Sequence, residues 1–394
     1  MQKGSRVKTI DGLRGLAILI VTIYHCLDIV RTNTVIFSYL KNSIWSFGGG
    51  GNFALVLTGF LITKVLHSLK GKNDYYRTFF INRSLRLIPL FYFFILIFFN
   101  VVPLVFKEKL QFQYLWNNQI WHWFFVHNWS PLFVDYSSGN KYISHLWFIG
   151  VEQQVFIFFP LLYLYLNDDK FIKLSIFLIV LTPILRFLLL LTADNSVLMI
   201  KYIHYMTITR LDSVFWGALL FKLILDKERL LYFLSHLKKS LLFTVFILLS
   251  LSFLLFDIPT LSKVEDFPLL LIPNSIGYTI GSFLSILIIG WGWTVSEESK
   301  FGRYLSENRL LQGVGTYAYS IYLFHFPFIH LIKEIWFFFP VSKIGGAVNQ
   351  LLFISIVFAL SYLFALITWK LIEKPFMDLK ELNFFKKKEN SIIA

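Results

Sequence analysis

Runs of about 20 apolar residues, each long enough to cross the hydrocarbon core of a bilayer, recur along this chain from one end to the other. No polar stretch between them approaches the roughly 100 residues of a separate soluble domain. With 56% hydrophobic and 15% charged residues over 394 positions, the chain also falls well short of the roughly 25% charge of a soluble globule. One membrane domain is therefore expected over residues 1–375, followed by a basic cytoplasmic tail, residues 376–394.

Apolar windows between charged or Pro/Gly-rich breaks predict helices over 9–30, 44–66, 87–106, 145–166, 171–192, 205–225, 239–256, 267–292, 313–335 and 348–372. The fold class is all-α, a polytopic bundle of about ten transmembrane helices. An even count puts both termini on one side. Lys3, Arg6 and Lys8, the run from Lys64 to Arg86, the cluster from Lys222 to Lys239 and the tail Lys386–Lys388 select the cytoplasm, with roughly 25 basic residues inside against roughly 10 outside. That N-in/C-in topology sends residues 107–144 outward. The formal charge of +14 thus reads as topology anchoring, with no call for nucleic acid. The expected location is the cell membrane, the bilayer being the first partner. Cys26 is the only cysteine and allows no intramolecular disulfide or cysteine cluster. The first apolar run lacks a small-residue cleavage site and carries Arg14 and His25, so it reads as a helix and not a signal peptide.

Ionisable side chains within spans are costly unless paired or facing water, which makes them functional candidates. Here they are Arg14, His25, Glu152, Arg186, Arg210, Asp212 and His325. Arg14 and His25 are eleven residues apart, so one helix face carries both, about 16 Å from each other along the axis. His25 and Glu152 fall at similar depth in the outer half and could meet. For Arg186, Arg210 and Asp212, mutual pairing that locks the bundle competes evenly with a functional role. Arg83 and Arg86 in NRSLRLIP share a face at the predicted mouth of the third helix, either as forks for phosphate oxygens or as topology anchors. The glycine cluster in FGGGGNFALVLTGFLIT permits close backbone approach to a helix or a ligand. In the outer segment, Trp129 and Trp147 suit the apolar faces of sugars or an interfacial belt. His122 and His127 lack evident partner ligands, so no metal site is expected.

These features share an explanation, because the chain resembles the type 3 membrane acyltransferase family. TIDGLRGLAILIVTIYH is similar to that family's opening motif, with Arg14 and His25 at its key positions. GGNFALVLTGFLIT, RSLRLIP, HLWFIGVEQQVFIFFP, TRLDSVFWGALLF, TYAYSIYLFHFP and LIEKPF resemble later signatures, in order. The resemblance implies a ten-helix core that takes acyl-CoA, usually acetyl-CoA, from the cytoplasm and esterifies hydroxyls of extracytoplasmic glycans. Carried over, it makes His25 the catalytic histidine, Arg14 its helix partner, Arg83 and Arg86 CoA-binding residues, and Glu152 the first glutamate of its motif. Gln153 stands in place of a second glutamate, and Asn52 where many members have Asp. Many relatives append a soluble hydrolase-like domain. With only about twenty residues after the last helix, transfer is expected to finish within the membrane domain or with a partner protein.

The expected mechanism places CoA phosphates near Arg83, Arg86 and Arg14 and the thioester near His25, which acts as general base, oriented by Glu152 where the two meet. A covalent acyl-histidine or acyl-serine relay is the alternative route. Trp129, Trp147, Asp212 and His325 are the candidate substrate-binding residues. A transporter or flippase for a lipid-linked glycan is the rival function, since it too needs a polar passage and aromatic outer residues. A homo-oligomer is left open.

Overall fold

A computed structural model describes residues 8–29, 50–101, 116–130, 142–192, 196–254, 273–294, 300–336 and 346–381, with residues 37, 40, 41, 271 and 338 standing singly. Among the described residues the protein is helical and contains no strand. The predicted tail beyond residue 381 and most of the predicted outer segment lie outside them.

The chain enters through α1 (Lys8–Ile29), α2 (Gly51–Leu69) and α3 (Tyr75–Leu96), the last extended by a π-turn over Ile97–Val101. A single turn, α4 (Ile120–Trp123), precedes α5 (Trp147–Tyr165) and α6 (Asp168–Leu191). The short α7 (Ser196–Tyr205) leads to α8 (Leu211–Leu225) and α9 (Lys227–Leu254). After α10 (Tyr278–Thr294) come two amphipathic pieces, α11 (Lys300–Glu307) and α12 (Arg309–Thr316). The bundle closes with α13 (Ala318–Trp336), α14 (Gly346–Thr368) and α15 (Lys374–Asp378). Caps set some of these boundaries: Asn167 accepts from the Lys170 amide at 2.9 Å to start α6, and Asn308 from the Leu311 amide at 3.0 Å to start α12.

Seven helical stretches among the described residues are long and apolar enough to cross a membrane: Lys8–Ile29, Gly51–Leu69, Tyr75–Val101, Ser144–Tyr165, Asp168–Leu191, Asn274–Trp293 and Gly346–Asp378. The other three expected spans also form helices among the described residues. The region 205–225 breaks at a 3-10 turn, Ile208–Arg210, leaving α8 only 15 residues long. α9 spends its first turns on Lys227, Glu228 and Arg229. α13 carries His325, His330, Lys333 and Glu334. A multi-pass membrane bundle is therefore the architecture, with seven qualifying spans among the described residues where the sequence predicts ten over the whole chain.

Glycine sets how closely the central helices approach. A Cβ on Gly59 would stand 2.0 Å from the Val214 carbonyl oxygen, and one on Gly217 1.9 Å from that of Val56. α2 and α8 therefore touch backbone to backbone, each supplying the gap for the other. Apolar side chains from both then close a core with α5 and α6 around Phe79, Phe156, Phe159, Phe171 and Phe215.

A polar knot ties residues 125–129 to this core. Gln154 of α5 donates to Asn128 Oδ1 at 2.8 Å and to the Phe125 carbonyl at 3.0 Å. Its Oε1 accepts from Trp129 Nε1 at 2.9 Å and from the Thr207 hydroxyl at 2.5 Å. Both amide ends are satisfied, which is what burial of a glutamine requires.

Candidate functional site

Helix periodicity places the site's first wall. Arg14, Ala17, Ile18, Val21, Tyr24 and His25 of α1 recur at three- and four-residue steps and line one cavity of about 160 Å³. Opposite them stand Thr58 of α2, Arg83 and Arg86 of α3, Trp147 and Glu152 of α5, His204 of α7 and Tyr322 of α13. A second cavity, of about 450 Å³, continues from the arginine end and shares Arg14, Leu61, Arg83 and Arg86 with the first. It adds Lys64, Asn82 and Lys380. Among the described lining residues, five fixed cations face a single carboxylate, Glu152. Such a surplus suits a multiply anionic ligand.

Arg83 and Arg86 were expected at the mouth of a helix beginning near residue 87. α3 instead begins at Tyr75, so they lie in its third and fourth turns. The apolar-window reading broke the helix at these charges, but the cavity provides the polar surroundings that let the helix run through them. The Arg83 guanidinium stacks 4.7 Å from the Phe156 ring centre, a contact that holds its plane. Arg14 pairs with Asp11 one turn earlier at 3.3 Å.

The imidazole end is set by hydrogen-bond logic. His325, fully buried, has Nδ1 2.7 Å from the Tyr322 carbonyl oxygen and 3.2 Å from that of Ile321. A carbonyl only accepts, so His325 Nδ1 carries the proton and its Nε2 is an acceptor in the neutral ring. His25 Nδ1 lies 2.8 Å from that Nε2, so it donates, and the lone pair of His25 is left on Nε2. That nitrogen has no protein partner among the described residues, on a side chain that lines the cavity.

The residue orienting His25 is therefore His325, and not Glu152. Glu152 accepts from the Thr58 hydroxyl at 3.0 Å, and its charge neighbours are Arg83, Arg86 and Arg14. His325 stands behind His25 and does not line the cavity, which removes the geometric basis for direct substrate contact. Asp212 is likewise withdrawn: fully buried, it holds Arg186 through two bonds of 3.1 and 2.8 Å and accepts from the Thr279 hydroxyl at 2.5 Å. Trp129 is engaged by Gln154 in the polar knot. Trp147 does line the cavity, packed against the His204 ring at 4.7 Å. The site thus brings together Arg14, His25, Arg83, Arg86, Glu152 and Trp147, and leaves out Trp129, Asp212 and, as a lining residue, His325.

Arg210 forms a neighbouring constellation. Its Nε donates to the His204 carbonyl at 3.0 Å, Nη1 to Asn52 Oδ1 at 2.8 Å and Nη2 to His204 Nδ1 at 2.6 Å. The Asn52 amide in turn donates to the Tyr278 carbonyl at 2.8 Å, a bond that an ionised Asp in that position could not make. His204 escaped the sequence reading because it belongs to no motif and sits on a helix of ten residues.

Comparison with known proteins is consistent with this geometry. The O-acetyltransferase OatA of Staphylococcus aureus strain MRSA252 is 28% identical over 407 residues, which take in 97% of this chain and 59% of the relative. The peptidoglycan O-acetyltransferase OatA of Listeria monocytogenes is 26% identical over 397 residues, covering 96% of this chain and 57% of the relative. The chain thus spans less than three fifths of the length of these relatives. No solved structure matches it significantly. The model of the acyltransferase 3 family, described as an acyltransferase domain, matches residues 7–370, and the chain belongs to that family.

Proposed function

We propose that this protein is a membrane O-acetyltransferase that moves an acetyl group from cytoplasmic acetyl-CoA to a hydroxyl of an extracytoplasmic glycan. Peptidoglycan, the acceptor in the name of the Listeria relative, is the proposed acceptor class. The observation that carries the reading is the paired cavity, cationic at one end and ending at an imidazole nitrogen with a free lone pair at the other.

In this reading the Arg14 end opens to the cytoplasm, in an N-in/C-in cell-membrane topology. Arg83, Arg86 and Arg14 grip CoA phosphate oxygens, the planar forks of arginine suiting them to paired acceptors. Lys64 and Lys380 extend the cationic wall at the wider mouth. The pantetheine arm runs along the α1 face, where Arg14 and His25 are about 16 Å apart along the helix axis. That length brings the thioester to His25. Glu152 and Thr58 brace the arginines midway.

His25 Nε2 then accepts the proton of the acceptor hydroxyl as its oxygen attacks the thioester carbonyl. Imidazole suits the task because its ordinary pKa lies near neutrality. His325 holds the neutral ring with its lone pair on Nε2, and the imidazolium formed is stabilised by donation from Nδ1 to the same partner.

The test measures free CoA thiol released from labelled acetyl-CoA by purified protein in liposomes supplied with soluble glycan. His25→Ala should lower turnover about 10²- to 10⁴-fold, the usual contribution of a positioned acid–base group, while acetyl-CoA still protects the protein against thermal unfolding. Wild-type turnover in His25→Ala would remove the catalytic assignment. Glycan movement without CoA release in the wild type would instead favour a transporter.

A further inference from the structure

Two imidazoles face the same cavity, and their hydrogen bonds fix them in opposite tautomers. For His25 the lone pair is left on Nε2, as derived above. For His204 the partner is a guanidinium: Arg210 Nη2 lies 2.6 Å from His204 Nδ1. A guanidinium has donors only and does not deprotonate in proteins, so His204 Nδ1 must be the acceptor. The neutral ring then carries its proton on Nε2. That atom has no protein partner among the described residues, on a side chain that lines the cavity.

The orientation is held from several sides. Arg210 is fully buried and also grips the His204 carbonyl and Asn52, and its plane lies 4.0 Å from the Tyr278 ring centre. Trp147 packs against the other side of His204 at 4.7 Å between ring centres. A donor so fixed needs no reorganisation when negative charge develops before it.

We propose that His204 is a second catalytic residue, its Nε2–H donating to the thioester carbonyl oxygen as that oxygen becomes anionic. The inference rests on the acetyltransferase reading above. In the step, the acceptor oxygen forms a bond to the carbonyl carbon while its proton passes to His25 Nε2. The carbonyl π electrons move onto oxygen, which His204 Nε2–H stabilises. Collapse of the tetrahedral species restores the C=O bond and breaks the C–S bond, and the CoA thiolate takes the proton from His25. Atoms and charge balance with an ester and CoA thiol as products. Arg210 acts through His204 and is a positioning residue.

Two variants test the assignment in the liposome assay. His204→Leu removes the donor, and His204→Gln restores an N–H close to the Nε2 position. Removal of one such donor from an oxyanion site commonly costs about 10²- to 10³-fold in kcat. The expected result is that loss in kcat for His204→Leu, an acetyl-CoA KM within about threefold of wild type, and recovery of at least tenfold in kcat by His204→Gln. Thermal protection by acetyl-CoA verifies that each variant is folded. A folded His204→Leu protein with near-wild-type kcat overturns the proposal, as does a His204→Gln protein no better than His204→Leu. Failure of the wild type to release CoA at all would count against the acetyltransferase reading itself, and so is distinguishable from failure of the His204 assignment.

Discussion

Two clusters of charge sit in this bundle, and they do opposite things. Around Arg186 the ledger is closed: Asp212 answers it with two hydrogen bonds, Thr209 and Ser275 carbonyls and the Thr279 hydroxyl take its remaining donors, and both charged side chains are wholly shielded. Around Arg83 and Arg86 the balance is uneven, since the described residues lining the paired cavities include Arg14, Lys64, Arg83, Arg86 and Lys380 but one carboxylate, Glu152, while Asp11 meets Arg14 from outside the lining. The first cluster is a joint between α6, α8 and α10. The second has surface to spare for a ligand. What distinguishes them is the space each faces: one is sealed in the core and the other lines a cavity with a majority of cations.

The contrast can be broken at its strongest point first. Asp212→Ala leaves Arg186 buried without its counter-charge, and should cost about 3–5 kcal/mol of stability, read as a large fall in the detergent-solubilised melting temperature that acetyl-CoA does not reverse. Replacing both residues together, as Arg186→Met with Asp212→Leu, should be far milder, because no orphan charge remains. A stable, fully active Asp212→Ala protein would mean that the joint is not structural.

The open cluster should behave in the reverse manner. Arg83→Ala with Arg86→Ala should leave melting in the absence of ligand little changed and weaken acetyl-CoA binding about 10²- to 10⁴-fold, as expected for loss of two charge-assisted hydrogen bonds worth about 1.5–3 kcal/mol each. Isothermal titration checks it. Unchanged affinity would return the pair to the role of topology anchors. The smallest effect belongs to the rim: Lys64→Met should raise the KM for acetyl-CoA about threefold and lessen its dependence on salt, since a partly solvated cation is screened.

Much of this arrangement was readable from residue spacing. The eleven-residue interval from Arg14 to His25 does put both on one cavity wall, and Arg83 and Arg86 join them there. Boundaries failed where charge was taken as a helix break. α3 runs through Arg83 and Arg86, and α9 begins at Lys227, twelve positions before the predicted start. Partnership across long sequence distance was not readable at all. His25 and His325 are 300 residues apart, and a helix periodicity says nothing about which distant helix supplies the facing side chain. The tryptophans of the predicted outer segment show a further limit. Trp129 has its indole N–H committed to Gln154, a bond that composition cannot distinguish from a place in a sugar platform or an interfacial belt.

The bond between His25 and His325 joins the first helix of the protein to one near its end. During synthesis the arginines and the reactive imidazole are therefore in the bilayer long before the group that holds the ring in its working tautomer. Until α13 arrives, His25 is free to turn and to protonate on either nitrogen. On the proposed function, a half-inserted chain that met acetyl-CoA would present a base not yet aimed, and hydrolysis would be held back until α13 is in place.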